Sequence, residues 1–524
     1  MTITSKNPRK AEFWPSHIPI HVLTLVAVSL AVLPVLSAQH LPLLDSAAHI
    51  ARIAVLRDLI ITGAGSPFYS LDTLLLPNVA FDILGIGLVN ALEPETVARL
   101  FFALTLVLML TGTLVLNRIA IGRWSVAPLV SSFLLFNLVS ILGFFSYIFG
   151  LALMLWALAM RLSLERSAWV WRTIFGVCAG VLLLMCHVFA FGIYAVMVIG
   201  VGVAAMTERR IGLRRLAGYG LEQIPACLLY LAMSAHQVGA GAYKMPFWQS
   251  KMFGLAKAFT SGSFAGDMAF VLGAVSFGVL LVTATRFRLA RSFWPGLAAL
   301  VLLYLALPFS LNSGSYVDSR MPIAIVLLGL AGTDMQILRG VLSNVFLAVL
   351  GGSLLAKQLA LTMLWASVDP QIDAIVTALR ALPKNAIIMQ LECHPEESDV
   401  MNVYRSRQPP LTHAAALAGL DGTRYLPNVF AIKGQQPIQV VPAYQPFYQA
   451  FQSFGASVCT RAEYVDAVRK VQNLAVAKNE TQYTVHPLYL LLIRPPAPHM
   501  LDGVAMRVAA APAWEVYAIA AGQD

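Results

Sequence analysis

The stretch Leu43-Leu44-Asp45-Ser46-Ala47-Ala48-His49-Ile50-Ala51-Arg52 sets an acid, an imidazole and a guanidinium at positions 45, 49 and 52. In a helix, spacings of three and four bring such residues to one face. Polar groups in so apolar a chain cost stability unless something uses them. Asp45 is the sharpest candidate. Its carboxylate can face a cavity and carry chemistry there. It also stands just before a helical run, where Asp is a favoured N-cap, and the two roles are compatible. His49 reads as a substrate-binding group or a hydrogen-bond partner of Asp45. Arg52 reads as a substrate-binding cation or a snorkelling interfacial one. A divalent metal held by Asp45 and His49 stays open, with only two ligands in view.

Later segments carry the other candidates. His187, in Leu184-Met185-Cys186-His187-Val188-Phe189, sits where a long apolar run must turn. Intramembrane ionisable groups usually face cavities, so His187 is a site candidate beside the alternative of a satisfied core histidine. Arg320, in Asp318-Ser319-Arg320-Met321-Pro322, begins an apolar span. Its planar fork suits a phosphate, and the competing reading is an ion pair with Asp318. Lys244 and Lys251, in a loop with Tyr243, Phe247 and Trp248, offer point charges for the same anion or are simply solvated. Tyr147, in the turn 143–150, reads as packing and interface anchoring.

The elements that must position these residues are membrane helices. The chain has 524 residues, 58% hydrophobic and 12% charged, with mean hydropathy +0.73. A soluble domain carries about twice that charged share, and several apolar stretches exceed the roughly 20 residues a bilayer core requires. Lys6, Arg9 and Lys10 place the N-terminus in the cytoplasm. Arg118 and Arg123, Arg161 to Arg172, Arg209 to Arg215 and Arg286 to Arg291 fall on the same side. That pattern holds when residues 38–95 form one large outer loop with interfacial helices near 45–61 and 79–92. It gives about eleven spans, near 18–37, 96–116, 125–141, 144–160, two within 173–206, 216–235, 268–285, 293–311, 321–336 and 341–365. Asp45, His187 and Arg320 then share the outer side.

Residues 1–368 are the membrane domain by this reading, and 369–524 a soluble α/β domain on the outer face. The latter shows an amphipathic helix from 372, strands at 386–391 and 488–493 and a helix over 463–476. Cys393 and Cys459 lie in it and pair if that face is oxidising. Cys178, Cys186 and Cys227 read as packing residues. The net charge of +10 is spread in short clusters between spans, which excludes nucleic acid as the partner.

The order of parts resembles the membrane-embedded glycosyltransferases of the C-type fold, among them the protein mannosyltransferases and the lipid A aminoarabinose transferases. The likeness rests on Asp45 and His49 in a first outer loop, on Glu95-Thr96-Val97-Ala98-Arg99-Leu100 entering the second span and on Asp318-Ser319-Arg320-Met321-Pro322 entering a late one. That family commonly has Asp-Glu in its first loop. Here Ser46 follows Asp45, which leaves the partner of Asp45 open. The resemblance implies a polytopic bacterial inner-membrane enzyme with its N-terminus inside and tail outside. It would move a sugar from a polyprenyl-phosphate donor to a glycan, lipid or protein acceptor, with inversion. It implies Asp45 as base, with His49, Arg52, His187, Lys244 and Arg320 on the substrates. Membrane lipids are the other partners. The alternative is a non-enzymatic lipid or polysaccharide transporter. That would place polar groups near the midplane and often repeat its halves; these polar groups gather at outer span ends.

Overall fold

The computed structural model describes residues 20–234, 247–283, 285–311, 314–337, 340–393, 411–454, 458–481 and 486–520. Lys244 and the basic N-terminal residues lie outside them.

Apolar runs bounded by cations form helices because only a helix satisfies every backbone group within its own segment. Seven described helices are long and apolar enough to cross a membrane. In chain order the helices are α1 (Ile20–Ser37), α2 (Ser46–Leu56), α3 (Ala80–Leu88), α4 (Pro94–Ile121), α5 (Leu138–Ile141), α6 (Phe145–Ser163), α7 (Trp169–Cys186), α8 (Val188–Thr207), α9 (Leu213–Leu221), α10 (Ile224–Ser234), α11 (Phe247–Ala258), α12 (Phe264–Thr283), α13 (Trp294–Ala306), α14 (Met321–Ala331) and α15 (Val341–Arg380). The long ones are α1, α4, α6 with the turn after it, α7, α8, α12 and α15.

Other apolar stretches expected as spans form shorter or divided helices. Residues 127–134 wind as a 3-10 helix, and Asn137 then starts α5, its side chain accepting from the amides of Val139 and Ser140. Asn competes with helix interiors in this way. The stretch 216–235 divides into α9 and α10 at Glu222 and Gln223. Glu222 turns inward to take the guanidinium of Arg161 at 3.0 and 3.1 Å. The ends of α12 and α14 run into strands β2 (Thr285–Leu289) and β3 (Thr333–Ile337), which pair antiparallel. A hydropathy profile registers none of these breaks.

The segment between α1 and α4 holds α2 and α3, and a short strand β1 (Tyr69–Leu71). The tail centres on a sheet of order β4-β6-β8-β7. Here β4 is Ile387–Glu392, β6 Leu488–Ile493, β7 Met506–Ala511 and β8 Trp514–Ile519, with β4 and β6 parallel and the rest antiparallel. β4 is buried along its whole length, as its unbroken apolar run requires. A disulfide joins Cys393 to Cys459, just past the end of β4.

Tail and loop are stitched together. β1 pairs antiparallel with β5 (Ile438–Val440), Tyr69 opposite Val440. The Tyr69 hydroxyl donates to the Leu426 carbonyl at 2.7 Å, and Asp72 accepts from the Gly434 amide at 2.8 Å. A buried 3-10 turn, Ala414–Gly419, packs against both α2 and α15. The tail is therefore fixed directly over the segment that carries Asp45.

Candidate functional site

Asp45 starts α2 but does not cap it with its side chain. What holds the residue is backbone. The amides of Leu44 and Asp45 donate to the carbonyls of Ile141 and Leu142 at 2.9 and 3.1 Å. Ser46, almost fully buried, turns its hydroxyl back to Leu41 and Leu43 and so is not the partner of Asp45. The close approach depends on Gly143. Its φ is +76°, and a Cβ there would stand 3.1 Å from the amide nitrogens of both Asp45 and Ser46. Gly143→Ala is expected to cost about 1–2 kcal/mol of stability from the positive φ alone. It should also lower turnover by about 10–100-fold as Asp45 is pushed out of place. Thermal unfolding and initial rates of the purified variant measure the two effects separately.

The freed carboxylate faces a cavity of about 720 Å³. Asp45, His49, His187 and Arg320 all line it, with Gln435, Gln436 and Phe430 from the tail. Much of the remaining wall is apolar, with Val188, Ile193 and Val196 of α8 and Leu300 and Leu303 of α13. Four of the six residues singled out in the sequence thus converge on one space.

Arg320 sits at the mouth of α14. Asp318 does not pair with it. That carboxylate goes to Lys251, at 3.2 Å with both side chains buried. Lys251 also donates to the Leu307 carbonyl, which places it in the scaffold. Among the described residues Arg320 has no carboxylate within ion-pair distance, and its Nε is buried without a partner. Rings hold the cation instead. Phe144, Phe189 and Tyr147 lie 4.6, 5.5 and 5.7 Å from the guanidinium carbon, and the Tyr147 hydroxyl donates to the Arg320 carbonyl at 2.6 Å. His187 Nε2 is 2.9 Å from Arg320 Nη1, while its Nδ1 is 3.1 Å from the Phe189 amide as α8 begins. A neutral imidazole accepts at one nitrogen only, so one contact is the hydrogen bond and the other a close approach. Aromatic faces favour a cation without neutralising it. The guanidinium therefore keeps its charge at the cavity wall.

Arg52 is placed elsewhere. It is fully buried against the fully buried Asp82 of α3, at 2.6 and 2.8 Å through two parallel hydrogen bonds, and donates to Gln436 at 2.6 Å. It does not line the cavity. Positions 45 and 52 do share a helical face, but seven residues advance about 10 Å along the axis, which carries Arg52 under α3. Its work is to tie α2 to α3 and to the tail. Arg52→Ala leaves the Asp82 charge buried alone and is expected to cost about 3–5 kcal/mol, whereas Arg52→Met with Asp82→Leu should regain most of it. Thermal unfolding in detergent distinguishes them.

His49 is 7% exposed and packs its ring on Phe81, Phe145 and Phe430 at 6.0, 5.6 and 5.4 Å. Burial, with Arg52 and His413 nearby, holds it well below the usual histidine range, so the imidazole is neutral. Burial pushes Asp45 up to about 7, against the opposing pull of Arg320 and Arg52. Among the described residues no group of three or more His, Cys, Asp or Glu is arranged to hold a metal ion.

One neighbour of Asp45 is a tail histidine that the sequence reads only as a surface or core residue of that domain, without catalytic company. His413 of the tail brings Nε2 to 3.7 Å from Asp45 Oδ1. Burial lowers His413 to about 4, so it too is neutral. Phe430, Gln435 and Gln436 are absent from the sequence expectations. The available signal was the vacancy beside Asp45 left by Ser46, which required a partner from a distant segment.

No family model matches this chain, and no curated protein does. Among solved structures it is similar to ArnT from Cupriavidus metallidurans, in a crystal structure bound to undecaprenyl phosphate. That match has 11% identity and TM-score 0.45 and covers 96% of this chain and 98% of that one. The apo form of the same protein gives 11% identity and TM-score 0.48 over the same shares. The arabinofuranosyltransferase AftD from Mycobacteria matches at 16% identity and TM-score 0.45, over 97% of this chain and 42% of that one. Scores at this level leave the weight of any functional reading on the side chains themselves.

Proposed function

We propose that this protein is a glycosyltransferase of the bacterial inner membrane, acting on its outer face. It moves a sugar from a polyprenyl phosphate to a hydroxyl of a lipid, glycan or protein acceptor. The observation that carries the reading is the pair facing one cavity: Asp45, whose carboxylate is not spent on its helix, and Arg320, a cation without a carboxylate partner among the described residues. A phosphate bound by Arg320 would have its prenyl chain beside the apolar wall of α8 and α13. The Cys393–Cys459 disulfide supports an oxidising side for the tail, and the arginine clusters support the same side as the outer one.

In this reading the acceptor oxygen attacks the anomeric carbon and gives its proton to Asp45. The new oxygen–carbon bond forms as the bond from that carbon to the phosphate oxygen breaks. The electron pair leaves on the phosphate, where Arg320 meets the growing charge. Attack opposite the leaving group inverts the anomeric centre. His49 and His187, both uncharged here, accept or donate hydrogen bonds without competing for the phosphate. The base must be ionised, and burial raises Asp45 to about 7. The rate is therefore expected to rise with pH through a limb near 7 and to fall about tenfold per unit below it. Initial rates of the full chain in vesicles from pH 5.5 to 8.5 test this, with a panel of polyprenyl-phosphate sugars and a membrane extract as acceptor. A flat profile, or no transfer with any donor, would contradict the reading.

A further inference from the structure

We propose that His413, supplied by the tail domain, is a positioning residue for Asp45: it aims the carboxylate into the cavity and stabilises its ionised form. The proposal rests on the reading of Asp45 as the base. Asp45 lines the cavity and His413 does not, so the imidazole stands behind the carboxylate, 3.7 Å from Oδ1.

The ring is held from several sides. Upstream, the Thr412 carbonyl accepts from Gln390 of β4. Downstream, the His413 carbonyl accepts from the Ala416 amide at 2.9 Å, and the buried turn Ala414–Gly419 wedges against α2 and α15. Phe430 stacks edge-on at 5.1 Å. His413 Nδ1 is buried with no partner among the described residues. The acceptor facing the ring is Asp45, so the proton of the neutral imidazole belongs on Nε2, pointing at Oδ1. A gap of 3.7 Å is too long for a hydrogen bond, and catalytic hydrogen bonds often tighten only in the substrate complex. A small rotation of the carboxylate closes it.

The charged and titratable groups facing Asp45 are Arg320 from the turn before α14, His49 and Arg52 from α2, and His413 from the tail. Arg320 and Arg52 act at longer range, and Arg320 is committed to the phosphate during the reaction. His413 would donate directly once that gap closes. Donation to the ionised form lowers a carboxyl pKa, so loss of His413 raises that of Asp45. The base becomes scarcer at neutral pH, although no substrate contact has been removed. The tail is then part of the catalytic unit, since it supplies the group that keeps the base ready.

The test uses the full chain in nanodiscs. His413→Leu fills the space without a donor, and His413→Gln returns an amide N–H near the Nε2 position. The direct readout is the protonation midpoint of Asp45, taken from infrared carboxyl difference spectra against Asp45→Asn. It requires no turnover. His413→Leu should raise the midpoint by about one unit, and His413→Gln should restore it. In parallel the acid limb of kcat should move up by the same amount, with KM for the lipid donor unchanged. If His413→Leu does not fold, His413→Met gives the same comparison. A midpoint that stays in place in a folded leucine or methionine variant would overturn the proposal. If the wild type transfers sugar while the midpoint stays fixed, the pairing fails and the enzyme reading stands. If the midpoint moves but the wild type transfers nothing, the pairing stands and the enzyme reading fails.

Discussion

Replacing Asp45 by Asn is expected to lower kcat by about 10³-fold, within the roughly 10²–10⁴ that a positioned general base contributes, while the chain stays folded. The amide has the shape of the carboxyl but cannot take the acceptor proton at neutral pH. Folding survives because the carboxylate is not used structurally. It makes no cap hydrogen bond, and α2 is anchored through backbone bonds to the 141–142 carbonyls and through Gly143. The sign of the charge effect agrees. Asp45 is raised from an ordinary 3.8 to about 7 in the fold, so its ionised form is disfavoured there. Stability associated with this group is present at low pH and is lost as pH rises through about 7. A neutral asparagine removes that penalty, so the variant should unfold at or above the wild-type temperature at pH 8. Turnover and thermal unfolding measured on one preparation separate the two claims. Full turnover in the variant would remove Asp45 from the chemistry.

Arg320 carries the second large effect. Arg320→Ala is expected to reduce kcat/KM for the lipid donor by about 10²–10³, in the range of about 3–4 kcal/mol of charge stabilisation at the leaving group. Arg320→Lys should fall between, because an ammonium keeps the charge but not the planar fork. Neither change is expected to unfold the chain. The guanidinium rests on Phe144, Phe189 and Tyr147 rather than on an acid, so its removal strands no buried carboxylate. Lys251 offers the internal contrast. It pairs with buried Asp318, and its loss should cost stability first. Affinity for polyprenyl phosphate, compared between wild type and Arg320→Ala, reads the phosphate contact directly, and equal affinities would dismiss it.

The polar ends of the spans were legible in the sequence to the extent that polarity stood out against lipid-like surroundings. Asp45, His49, His187 and Arg320 declared themselves in this way, and the structure gathers them around one cavity. Arg52 was read from its angle on the helix, and the angle was right. The rise along the axis decided its fate, together with Asp82, an acid in the neighbouring helix that no local pattern links to it. The helices depart from the expected spans where polar side chains enter apolar runs, at Asn137 and at Glu222. Hydropathy averages over such residues. His413 reads in the sequence as a surface or core residue of the tail, and its place beside Asp45, like those of Phe430, Gln435 and Gln436 at the cavity, was out of reach for another reason. They arrive by a tertiary return of the tail, fixed by the β1–β5 pairing and the turn at 414–419. Only the missing neighbour of Asp45 hinted at them.

The central claim is that Asp45 and Arg320 face each other across a sugar carried on a polyprenyl phosphate. A density map of the full chain in a lipid nanodisc with polyprenyl phosphate bound tests it most directly. The account predicts the phosphate within hydrogen-bond reach of Arg320, the prenyl chain along α8 and α13, and Asp45 across the space where the sugar would sit. Phosphate density away from Arg320, or a lipid that leaves this cavity empty, would contradict it.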